Sequence, residues 1–104
     1  MPPPPRLLLF VAGRDRPRSL GAIARLNEVV AAHTPATRVD IVDVLVDPQA
    51  AEEHRVIVTP TLVRLEPEPP IRLMGDLSGV PLDVILRIVA ADREPGVPQE
   101  QGVG

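Results

Sequence analysis

The chain has 104 residues, 44% of them hydrophobic, a net charge of -3 and no cysteine. That length holds one domain with a modest core, and the missing cysteine excludes disulfides, thiolate nucleophiles and cysteine-ligated metals. All eleven basic residues are arginines set among fourteen acids with no basic stripe, so nucleic acid is not an expected partner.

Residues 2 to 5 are prolines, which favour an extended conformation with few donors, and residues 1–6 are read as a Pro-rich tail. The start lacks the long apolar region of a signal peptide, and no stretch approaches the roughly 18 apolar residues of a membrane span; the default location is cytoplasmic, with no membrane partner. Leu7 to Ala12 is a continuous apolar run ended by Gly13, as in a central strand buried on both faces. After the charged loop 14–18, Ser19 can cap a helix beginning at Leu20. In that helix Leu20, Ile23, Ala24, Leu26, Asn27 and Val30 fall at helical spacing, and Thr34-Pro35 ends it.

Residues 38–45 alternate through Val39 and Ile41, with Asp43 in the same phase, as in a strand near a sheet edge. Asp47-Pro48 supplies a cap and a proline at the first helical position for a short helix to about Arg55. Pro60 stands at the entrance of a strand to Leu65, because proline cannot donate inside a ladder. Residues 66–70 form a hairpin link to a strand over 71–74, and 75–78 a turn. Leu82, Ile85, Leu86 and Val89 then mark a last helix to about Asp92. Residues 93–104, rich in Gly, Pro, Gln and Glu, are expected to be disordered.

The order is β-α-β-α-β-β-α in one α/β domain over residues 7–92. A helical crossover returns a parallel strand and a short link an antiparallel one, which gives a mixed four-stranded sheet. This is the thioredoxin-like arrangement, with both long helices lying against the sheet.

In enzymes of that arrangement the loop after the first strand carries a redox cysteine pair. Here it reads Gly13-Arg-Asp-Arg-Pro-Arg-Ser19; the nucleophile is gone, and Ser19 reads as a cap. Thr59-Pro60-Thr61 resembles the cis proline such folds place before the third strand, although an ordinary trans proline also fits. Gly75, Asp76 and Ser78 read as a turn and helix cap; an anion at the helix N-terminus is the alternative. His33 and His54 are read as solvated surface residues without metal-ligand spacing. Glu52 and Glu53 are neighbours on one helix and form a solvated face. No catalytic residue, metal or cofactor is expected.

Phe10-Val-Ala-Gly13, Ser19 with Leu26-Asn27, Val42-Asp-Val-Leu45 with Asp47-Pro-Gln49 and Ala51-Glu-Glu53, Thr59-Pro-Thr-Leu62 and Gly75-Asp-Leu-Ser78 together resemble the KaiB family of circadian clock proteins, from about Leu7 to Val89. The resemblance implies a non-enzymatic adaptor that docks on the N-terminal ATPase ring of a KaiC-like hexamer and displaces a sensor histidine kinase bearing a related domain. It also implies a second fold, βαββααβ, that assembles as a tetramer. Val84 to Val89 is β-branched enough for a strand, but the clean apolar stripe favours the helix, and the thioredoxin-like form is expected to dominate.

The docking surface is expected on the first helix, its preceding loop and the second strand, through Arg14, Arg16, Arg18, Arg25, Arg38 and Asp40. The loop at 14–18 is one residue longer than is usual in the family, and Gly21 and Ala24 stand where basic residues are common. Asp40 stands where a lysine is common, so a KaiA contact is not expected. The alternatives are a glutathione-binding relative using Ser19, Pro60, Asp76 and Ser78, and an isolated sensor domain of a histidine-kinase system.

Overall fold

The computed structural model describes residues 4–90, so the expectation for residues 93–104 lies outside them. Strand β1 (Arg6–Val11) is buried from Leu7 onward. It lies inside a four-stranded sheet of order β2-β1-β3-β4, parallel to β2 (Arg38–Asp43) and antiparallel to β3 (Thr61–Glu66); β4 (Ile71–Met74) pairs antiparallel with β3. Pro5 is buried and its carbonyl accepts the Arg38 amide at 2.9 Å. The sheet therefore reaches into the residues read as a tail.

Helix α1 (Pro17–His33) begins earlier than expected, and this corrects the role of Ser19. Pro17 takes the first helical position, where its fixed φ suits the helix and a missing N–H costs nothing. Arg16 is the flanking residue and contributes no side-chain cap. Ser19 is buried in the first turn, its Oγ 3.5 Å from the Ala12 carbonyl oxygen. The buried face runs through Ser19, Ala22, Leu26 and Val29, while Leu20 is 53% exposed. Small side chains at 19 and 22 let the first turns lie close to the end of β1, which turns Leu20 outward.

Side chains alternate across a strand, so β1 feeds two cores. Leu7, Leu9 and Val11 pack with Ala22, Leu26, Val29, Leu62, Leu77, Ile85, Ile88 and Val89 under α1 and α3 (Leu82–Ala90). Leu8, Phe10 and Val63 face the other way, with Val42, Val44, Ala50, Val56 and Leu65 around them. That side carries the short helix α2 (Pro48–Glu53), capped by Asp47, which accepts the Ala50 amide at 3.1 Å. His54 is half-buried there, its ring 5.5 Å from that of Phe10, which corrects its reading as a solvated residue. Each fully buried Leu, Val, Ile or Phe contributes about 1.5–3 kcal/mol, so both faces matter to stability.

The chain leaves α2 through Arg55 at φ 54°, with Arg55 N–H on the Glu52 carbonyl and Val56 N–H on that of Ala51. This is the left-handed helix stop that usually takes glycine. Arg72 on β4 closes the same end, its guanidinium donating to the carbonyls of His54 at 2.6 Å and Arg55 at 3.1 Å. After β4, a 3-10 turn at Leu77–Gly79 buries Leu77 completely. Thr37, in the link from α1 to β2, donates its hydroxyl to the Val89 carbonyl at 2.8 Å and so ties down the end of α3.

Candidate functional site

The ends of β1, β2 and β4 and the start of β3 lie at one end of the sheet, and α1 starts there. The loop leaving β1 turns at Gly13, whose φ of +84° favours glycine; the Arg16 amide donates to its carbonyl at 3.0 Å. A Cβ at Gly13 would stand 2.7 Å from Arg16 Cγ, because the Arg16 side chain lies back over the turn.

Asp43 fixes this loop from the neighbouring strand. The register sets it beside Val11, and its carboxylate accepts the amides of Gly13 at 2.9 Å, Arg14 at 3.0 Å and Leu45 at 3.0 Å. The Gly13 amide, followed by those of Leu45 and Arg14, holds its pKa below the ordinary aspartate value. Asp43 was read from the sequence only as a strand residue. Its place at the end of the alternation was the available signal.

Across the sheet end, the Thr59–Pro60 peptide bond is cis, and the Pro60 carbonyl accepts the Gly75 amide at 2.8 Å. Gly75 has φ +101°. The cap that follows is on Asp76, which accepts the Ser78 amide at 3.0 Å; Ser78 is the donor, which corrects the expectation that it caps the last helix. The Ser78 amide and hydroxyl, then the charge of Arg18, lower the Asp76 pKa. Between these segments and α1 lies a cleft of about 340 Å³ lined by Ala12, Arg16, Pro17, Arg18, Ser19, Thr59 and Pro60. A second hollow of about 270 Å³ lies along the outer edge of β2, between Arg14, Ile41, Val42, Asp43, Val46 and Asp47.

Arg16 and Arg18 are thus brought together with Ser19 and Pro60, with Asp76 within reach of the Arg18 charge, while Arg14 lines the second hollow; all three arginines are exposed. The other expected docking residues lie apart. Arg25 is half-buried and donates to the Val80 carbonyl at 3.3 Å, tying α1 to the segment before α3. Arg38 starts β2 opposite Arg6, about 17 Å along the strand from Asp43 at roughly 3.3 Å per residue. Asp40 is exposed between them on the edge strand. Sequence reasoning missed the apolar side chains exposed near the arginines, among them Leu45, Val46, Ile57 and Val58.

Fold and site together define a thioredoxin-fold domain whose first loop presents arginines where an oxidoreductase has its cysteines. Chloroplastic thioredoxin z shares the fold, with a TM-score of 0.67 at 20% identity over 83% of this chain and 79% of that one. The KaiB domain model matches residues 8–88, and the chain belongs to the KaiB family. It is 40% identical over 73 residues to the circadian clock oscillator protein KaiB of Prochlorococcus marinus strain SARG, covering 69% of this chain and 62% of that protein. The KaiB of Thermostichus vulcanus matches equally over 67% of its length. The N-terminal domain of Synechococcus elongatus SasA superposes with a TM-score of 0.69 at 28% identity, over 90% of both chains. Among the described residues no helix is long and apolar enough to cross a membrane.

Proposed function

We propose that this protein is a non-enzymatic, cytoplasmic adaptor of a KaiC-type clock or signalling system. It docks on the N-terminal ATPase ring of a KaiC-like hexamer and competes there with a sensor histidine kinase. The observation that carries this reading is the KaiB match across residues 8–88, which takes in β1 from Leu8 onward, the other three strands and the whole of α1. The chemistry agrees, since a chain with no cysteine cannot exchange disulfides.

Docking uses the surface around the start of α1. Asp43 and the Gly13 turn hold Arg14, Arg16 and Arg18 in place, and Arg25 keeps α1 seated through Val80. Arg38 and Asp40 border the free edge of β2, to which a partner strand can add. No KaiA contact is proposed, because Asp40 puts a negative charge on that strand. The thioredoxin-like form is the dominant state; a second, slowly exchanging set of amide NMR signals at substantial population would contradict this.

The likeness to the SasA domain favours a second reading, an isolated sensor domain of a kinase system; its lower identity ranks it behind the KaiB relatives. The test is capture of the full chain by KaiC-like ATPase rings with and without ATP. Capture that depends on the nucleotide supports the adaptor. Turnover of glutathione-type substrates without capture of any ring would overturn it.

A further inference from the structure

We infer that Arg64 is the seat of an internal ion pair, taken by the carboxylate of Asp92, which fastens the chain beyond α3 to the end of β3. Among the described residues Arg64 is the charged side chain that is buried, at 7% exposure. Side chains alternate along β3, with Leu62 in the core under α1 and α3 and Val63 in the opposite one, so Arg64 returns to the α3 side. The register sets it beside Leu7, a member of that same core.

Its charge has no counterpart among the described residues. One guanidinium nitrogen donates to the Pro69 carbonyl at 3.2 Å, and Nε is buried without an acceptor. Glu66 and Glu68, the acids nearest to it along the chain, are exposed. Burial pulls its pKa down from the ordinary arginine value, yet a guanidinium does not give up its proton in a protein. A buried charge left alone is costly, and a hydrogen-bonded carboxylate is what offsets the cost.

The acid comes from the stripe on α3. Ile85, Ile88 and Val89 are its buried residues. Asp92 follows them by seven, four and three places, which makes it the next position of the same stripe. An acid is out of place there twice over. The position continues a core-facing row, and the C-terminal end of a helix disfavours negative charge. A buried cation at the same spot removes both objections. Thr37 holds the end of α3 at the start of β2 through the Val89 carbonyl, and the registers put Arg38, Arg6, Leu7 and Arg64 at that same end of the sheet. Glu94, two residues further on, falls off the stripe. The pair therefore secures α3 at the end of the sheet opposite the Gly13 turn.

The test is a double-mutant cycle on the full chain, read by urea unfolding of the wild type, Asp92→Asn, Arg64→Met and the double variant. Each single variant should lower the folding equilibrium constant about tenfold, and the double variant should fall no further than the worse of the two. Glu94→Gln should match the wild type. The Nε–H resonance of Arg64 gives a second reading that does not need Arg64→Met to fold: it should move in Asp92→Asn and keep its place in Glu94→Gln. Wild-type stability in Asp92→Asn, or losses that simply multiply in the double variant, would overturn the inference. So would an Arg64→Met chain more stable than the wild type, as removal of a lone buried charge would produce, a response at Glu94 in place of Asp92, or an Arg64 resonance indifferent to position 92.

Discussion

Adding the same methyl group to two glycines of this chain should move stability in opposite directions. Gly13 sits at φ +84°, and a Cβ there meets Arg16 Cγ at 2.7 Å. The left-handed conformation costs an L-residue about 1–2 kcal/mol, and the Arg16 side chain must also leave the turn. Gly21 is a residue of α1 with no atom within 4 Å of an added Cβ, and alanine is favoured over glycine inside a helix by about 0.8–1 kcal/mol. In a domain of this size 1 kcal/mol moves the melting temperature by about 4–8 °C. Gly13→Ala should therefore lower Tm by about 4–16 °C, and Gly21→Ala should raise it by about 3–8 °C. Circular dichroism melts of the full chain read both. Shifts of the same sign, or an unchanged Gly13→Ala, would refute the account of the loop.

Thr37→Val should cost about 1–2 kcal/mol in urea unfolding, because the Val89 carbonyl loses a buried donor. Arg55→Gly should stabilise by about 1 kcal/mol in the same assay, since glycine relieves the left-handed helix stop at φ 54°. Asp43 has a depressed folded-state pKa, so its contribution is complete above its ordinary value of 3.8 and is lost as pH falls through the lower folded value. Asp43→Asn should accordingly be less stable than wild type at neutral pH and lose less on acidification, as read from urea midpoints across the acid range.

The sequence made the scaffold legible where one local signal dominated. Five bulky apolar residues from Leu7 to Val11 have no place except inside a sheet, and Asp47-Pro48 starts α2 as its chemistry requires. The start of α1 was misread because Ser19 is a good capping residue, yet Pro17 suits the first helical position and takes it. That displacement also explains why Leu20 points outward. The proposed docking surface was harder to read, since its parts are related by sheet register. Asp43 reaches Gly13 across thirty residues only because β1 and β2 pair Val11 with Asp43. Arg38 and Asp43 are close in sequence and stand at opposite ends of the same strand. No local pattern separates Arg14, Arg16 and Arg18 from Arg25 or Arg38; the third dimension does.

Native mass spectrometry of the chain mixed with a KaiC-like hexamer, with and without the competing kinase sensor domain, tests the docking claim most directly. The account predicts protomers added to the ring in the presence of ATP and removed by the competitor. A ring that stays bare, or one that carries chain and competitor together on the same subunit, would contradict it.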